Sequence, residues 1–149
     1  MMRNRDRVGR GRGGMAKRVV LAGLLALMLP FGAATAKPPL REVPEIVDTL
    51  FIVAVANEVA KLCPTITPRR LKGLSILLNL RAHANKLGYS DDEIRAQIES
   101  KEEKAWMRAK GEAYLKSRGV VIGEPETYCV FGREEIKNSS AIGALLKAR

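Results

Sequence analysis

The sequence predicts an all-α protein: a single small bundle of five or six helices carrying one disulfide and preceded by a cleavable signal peptide. Three observations carry that reading. Ala, Leu, Glu, Lys and Arg dominate while aromatic residues make up only 5%, a composition that favours helices over strands. Apolar residues recur at helical spacing in segments that open on Pro, Thr or Ser and close on Gly or Pro. A basic lead and an apolar run stand ahead of everything else, in the layout of an export signal.

Residues 1–14, MMRNRDRVGRGRGG, read either as a disordered basic arm or as sequence upstream of a true start at Met15. The second reading is expected, because Met15-Ala16-Lys17-Arg18 opens a signal of ordinary length. Residues 15–36 are that signal. Val19–Phe31 is apolar apart from Gly23 and Pro30, and Ala34-Thr35-Ala36 supplies the small-x-small pattern, with Ala34 and Ala36 the residues a peptidase reads. The run is shorter than the roughly 20 residues of a comfortable span, so cleavage before Lys37 is expected rather than a retained anchor. The expected location is periplasmic or secreted.

The formal charge of +10 misleads. Seven of the 26 basic residues and one of the 16 acidic ones precede Lys37, leaving +4 for the 113 residues 37–149. With no aromatic residues interleaved among the cations, nucleic acid is not an expected partner. That length makes one domain with one modest core. Cys63 and Cys129 are the only cysteines, and in an oxidising compartment they are expected to pair across 66 residues, worth about 4 kcal/mol by chain entropy. The alternative is two buried thiols acting as small hydrophobes. No metal or cofactor is expected, since His83 is the sole histidine and there is no Cys-x-x-Cys.

In chain order, Pro38-Pro39 marks an extended lead and Pro44 the first turn of a helix running to about Leu62. Its middle, Leu50–Ala56, is apolar on every face, which predicts a central helix buried from several sides. A buried strand is the alternative for that stretch. Cys63-Pro64 ends it. Thr67 as cap and Pro68 at the first position predict a second helix, about Pro68–Leu87, stopped by Gly88. On it Lys72, Ser75, Asn79, His83 and Lys86 share a polar face, and Leu71, Leu74, Leu77, Leu78 and Leu80 occupy most of the rest. Ser90-Asp91-Asp92-Glu93 predicts a capping box opening a short helix to about Glu99, and Ser100–Glu103 repeats the device for a helix ending at Arg118-Gly119. Ala105, Trp106, Ala109 and Ala113 are expected to line one side of that fourth helix. Pro125 starts a fifth, broken at Asn138 or Ser139, and Ala141–Lys147 is expected to be a last short one burying Ile142, Leu145 and Leu146.

The residues offer little chemistry. His83 lies on a polar helix face with no orienting partner, so a solvated surface histidine is expected. Ser139-Ser140 lacks a nucleophile elbow and reads as a helix cap. The adjacent carboxylates Asp91-Asp92, Glu102-Glu103 and Glu134-Glu135 point about 100° apart on a helix and do not converge as an acid/base dyad does. The least random feature is charge segregation. From Val59 through Ser90 there is no acidic residue, while Lys61, Arg69, Arg70, Lys72, Arg81 and Lys86 are positive. Either this face (Arg69, Arg70, Lys72, Arg81 and Lys86) meets an anionic partner, or the acidic start of the fourth helix, Glu99, Glu102 and Glu103, packs alongside and balances it. The second arrangement is the expected one. A pocket for a lipid or apolar ligand is a further, weaker reading, because the residues around Phe51 are more simply core.

Pro38-Pro39-Leu40-Arg41 leading to Pro44-Glu45-Ile46, then Gly88-Tyr89-Ser90-Asp91-Asp92-Glu93-Ile94 and Gly111-Glu112-Ala113-Tyr114-Leu115, form one series of motifs. Tyr128-Cys129, Gly132-Arg133, Glu135-Ile136, Ile142-Gly143 and Leu145-Leu146 continue it. In these the chain resembles a domain-of-unknown-function family of short exported helical proteins of Gram-negative bacteria. The resemblance implies a signal peptide, two cysteines and a helical domain, and brings no activity or site residues. The expectation is a non-enzymatic module that binds a protein partner in the cell envelope. The alternative is a peripheral module that uses its basic second helix on an anionic lipid surface.

Overall fold

The computed structural model describes residues 37–149, and the readings made for residues 1–36, the signal and its Ala34–Ala36 motif included, lie outside the described residues. Helix α1 (Pro44–Leu62) runs through the centre. Proline at its first position and Glu45 in its first turn suit the end where backbone N–H groups are unpaired, and Cys63-Pro64 stops it. Val55, Ala56 and Val59 are fully buried, and the helix packs against the leading segment, Ile66–Pro68, the second, fourth and fifth helices and the turn near the C-terminus. The expected enclosure of Leu50–Ala56 is only half realised. Leu50–Val53 are half-buried and Ala54 is exposed; Phe51, Ile52 and Val53 pack against the core, while Leu50 and Ala54 face an open groove.

The first correction to the all-α expectation follows at once. Thr67 and Pro68 do not begin a helix; Ile66–Pro68 is a strand, β1, antiparallel to β2 (Leu146–Ala148) with Thr67 opposite Lys147. β-branched Ile66 and Thr67 favour extended backbone, and Pro68 closes the strand where its missing N–H does least harm. Thr67 Oγ1 donates to the Lys147 carbonyl at 3.2 Å, and Arg69 donates from N and Nε to the carbonyls of Leu145 and Leu146 at 2.7 and 3.0 Å. The expected sixth helix is therefore a 3-10 turn, Gly143–Leu145, running into β2, although Ile142, Leu145 and Leu146 are buried as expected.

Helix α2 (Arg70–Lys86) starts without a side-chain cap and ends at Gly88, whose φ of +91° lets Tyr89 N–H reach back to the Ala84 carbonyl at 3.1 Å. Helix α3 (Asp91–Glu99) opens on the expected capping box, with both the Ser90 and Glu93 halves present. Helix α4 (Lys101–Ser117) shows only the serine half: Ser100 accepts from Glu103 N–H, but the Glu103 carboxylate turns away to Arg41. Its inner side is Trp106, Met107, Gly111, Tyr114 and Leu115, while Ala105, Ala109 and Ala113 face solvent. Helix α5 (Pro125–Lys137) ends near Ser139, whose φ is +50°.

Two apolar clusters result. The larger joins α1, β1, the end of α4, α5 and residues 142–146, with Cys63 and Cys129 at bonding distance inside it, S–S 2.04 Å. The smaller, Leu40, Val43, Ile46, Ala84 and Tyr89, ties the leading segment and α1 to the end of α2. Five α-helices, one two-stranded sheet and two 3-10 turns, Gly143–Leu145 and Leu40–Glu42 in the lead expected to be extended, are the regular elements of the described residues.

Candidate functional site

The groove that leaves Ala54 exposed opens over the smaller cluster, with a volume of about 420 Å³ and an almost wholly apolar lining. Its floor is one stripe of α1: Ile46, Leu50 and Ala54 recur every four residues and so stack along a single face. One wall is α2, through Leu77, Leu80 and Ala84. The other is the α3–α4 corner, through Ile94, Ile98, Trp106 and Met107. Lys110, 5.0 Å from the centre of the Phe51 ring and 5.5 Å from that of Trp106, rests on both aromatic faces and braces α4 against α1.

Charge is confined to the rim. Arg41 and Glu103 pair at 3.1 Å, and Arg81 grips both oxygens of Asp91 through Nε and Nη2, Nε to Oδ1 at 2.9 Å. Asn85 adds a third bond to Asp91 at 3.2 Å. The Arg81 bond, reinforced by Asn85, holds the Asp91 carboxyl down to about 2. Lys37 donates to both oxygens of Glu93 at 2.8 Å, and with the Ser90 N–H it holds that carboxyl at about 2 as well. No residue of α3 is fully buried, so this wall of the groove is fastened mainly by its charged first turn.

The basic segment divides by role. Arg69 is spent on β2 carbonyls and Arg81 on Asp91, whereas Arg70, Lys72 and Lys86 are exposed and have no ion pair among the described residues. The expected balance by Glu99, Glu102 and Glu103 is not made: Glu103 takes Arg41 and Glu102 takes the Ser100 hydroxyl. His83 is exposed on the polar side of α2. Ser140 works as a cap, donating to Glu135 and accepting from Gly143 N–H at 2.9 Å.

Sequence reasoning spread five leucines over most of the surface of α2 outside its polar face, and four of them are exposed. The inner seam of α2 is Gly73, Ile76, Leu80 and Ala84, of which Ala84 is buried and the others are half-buried. Leu71 and Leu74, exposed at 85 and 53%, take no part in the groove, whereas Leu77 and Leu78, at 38 and 55%, line its edge. Spacing of three and four residues through Gly73, Ile76, Leu80 and Ala84 is the signal that could have found the true inner face.

By class, the described residues form a helical, disulfide-linked domain with an open apolar groove. The chain belongs to DUF5333, a family of unknown function, whose match spans residues 38–147. Neither a curated protein nor a solved structure matches the chain.

Proposed function

We propose that the protein is an exported module of the cell envelope, periplasmic or secreted, that binds another protein by taking apolar side chains of a partner helix into the groove. The single observation behind this reading is the groove itself: about 420 Å³, apolar inside, charged only at its edges. Folded domains cover such surface unless something else covers it for them. The dimensions suit a row of helix side chains spaced by three and four residues, with rim groups left to orient the incoming helix. The cysteine pair favours an oxidising compartment, and no helix of the described residues is long and apolar enough to cross a membrane.

Site-specific photo-crosslinking in expressing cells tests it. A photoreactive residue replacing Gln97, which lines the groove, should yield one discrete adduct; the same residue at Lys137 on α5 should yield none. Ala54→Trp, which fills the groove from its exposed floor, should remove the Gln97 adduct. Equal adducts at both positions, or an adduct indifferent to Ala54→Trp, would overturn the reading.

A further inference from the structure

A second surface, adjoining the groove, lies on the outer crest of α2. We propose that this crest seats the domain on an anionic bilayer surface, leucines inserted and cations at the headgroups. Leu71 and Leu74, three residues apart and so neighbours on the helix surface, are the exposed leucines of α2 that do not line the groove; Leu78, a turn further on, stands at the groove's edge. Leu71 is 85% exposed, an arrangement that contributes nothing to the core. Arg70, Lys72 and Lys86 surround this ridge, and Lys147 of β2, opposite Thr67, extends the positive field past the start of the helix.

Three occupants of the crest differ in what they require. A second copy of the chain would bring the same ridge, with Arg70, Lys72, Arg81 and Lys86 and no acidic residue, against itself, and like charges would oppose the contact. A partner helix finds more apolar area in the groove, which is lined from α1, α2 and the α3–α4 corner, than on leucines set among unpaired cations. A bilayer needs neither a concavity nor acidic side chains. It accepts a helix lying flat with leucines reaching the acyl boundary while the long basic side chains extend to phosphate. The nearest carboxylates do not oppose this, because Asp91 is held by Arg81, Glu93 by Lys37, and Asp92 by Arg95 at 3.1 Å.

Co-sedimentation with vesicles of equimolar phosphatidylglycerol and phosphatidylcholine tests the proposal, with phosphatidylcholine vesicles as the neutral control. Three proteins are compared: the wild-type chain as purified from expressing cells, Leu71→Ser with Leu74→Ser, and Arg70→Glu with Lys72→Glu. All four positions are exposed, so both variants should melt with the wild type. The wild type should bind the anionic vesicles, release as salt rises from about 50 to about 500 mM, and leave neutral vesicles alone. Each variant should bind roughly tenfold or more weakly. All three are purified alike and carry the same N-terminus, so binding that resides outside the crest would survive both substitutions. Survival in either variant, equal binding to neutral vesicles, or no wild-type binding overturns the proposal.

Discussion

Gly143 shows how much one side chain can decide. A Cβ at that position would collide with the Glu135 carbonyl group, because the 3-10 turn is pressed directly onto the end of α5. Glu135 is itself buried, 4% exposed, and its carboxylate is shared by Arg118 at 3.3 Å and the Ser140 hydroxyl. Backbone cannot retreat as a flexible side chain can. Gly143→Ala is therefore expected to lower stability by about 2–3 kcal/mol, read as a shifted denaturation midpoint. Ser140 was legible from the sequence, since capping depends on near neighbours. Gly143 was not, because its constraint is a contact through space with a residue on another element.

Helix α3 can be unfastened by acid. It has no fully buried residue and is secured by the Ser90 box, Arg81–Asp91 and Lys37–Glu93. Asp91 and Glu93 are both held at about 2, against usual values of 3.8 and 4.5. A depressed folded-state value means that the stabilisation is present above the ordinary pKa and is lost as pH falls through the folded one. The two carboxyls are expected to titrate near pH 2 by NMR, and the amides of α3 to lose exchange protection as pH drops from about 4.5 towards 2. Salt should weaken the same contacts, which are solvent-exposed. Both capping serines were visible in the sequence. The start of α2 was not, because Thr67-Pro68 serves equally as helix cap or strand end, and the choice is made by hydrogen bonds to Leu146–Ala148, across 80 residues.

For the whole molecule, the sequence carried the helical class, four of the five helix starts and the cysteine pair, since these rest on local spacing and on there being two cysteines. The groove was not legible. Amphipathicity shows only that α2 has apolar residues on more than one side, and packing decides which of them meet α1. Unreduced protein recovered from the envelope is expected to have a mass starting at Lys37 and lacking the two thiol hydrogens. Reduction should lower its stability by about 4 kcal/mol, the value for a 66-residue loop. The β1–β2 ribbon also imposes an order in time. Leu145 and Leu146 complete the cluster around Val59, Ile66 and Tyr128, yet they are made some 80 residues after β1, roughly 4–16 s later at ordinary synthesis rates. For that interval the strand has no partner and the main core no cover. Residues 142–148 thus act as a clasp, and a chain clipped before them would be a substrate for proteases, with all five helix sequences present but the domain never closed.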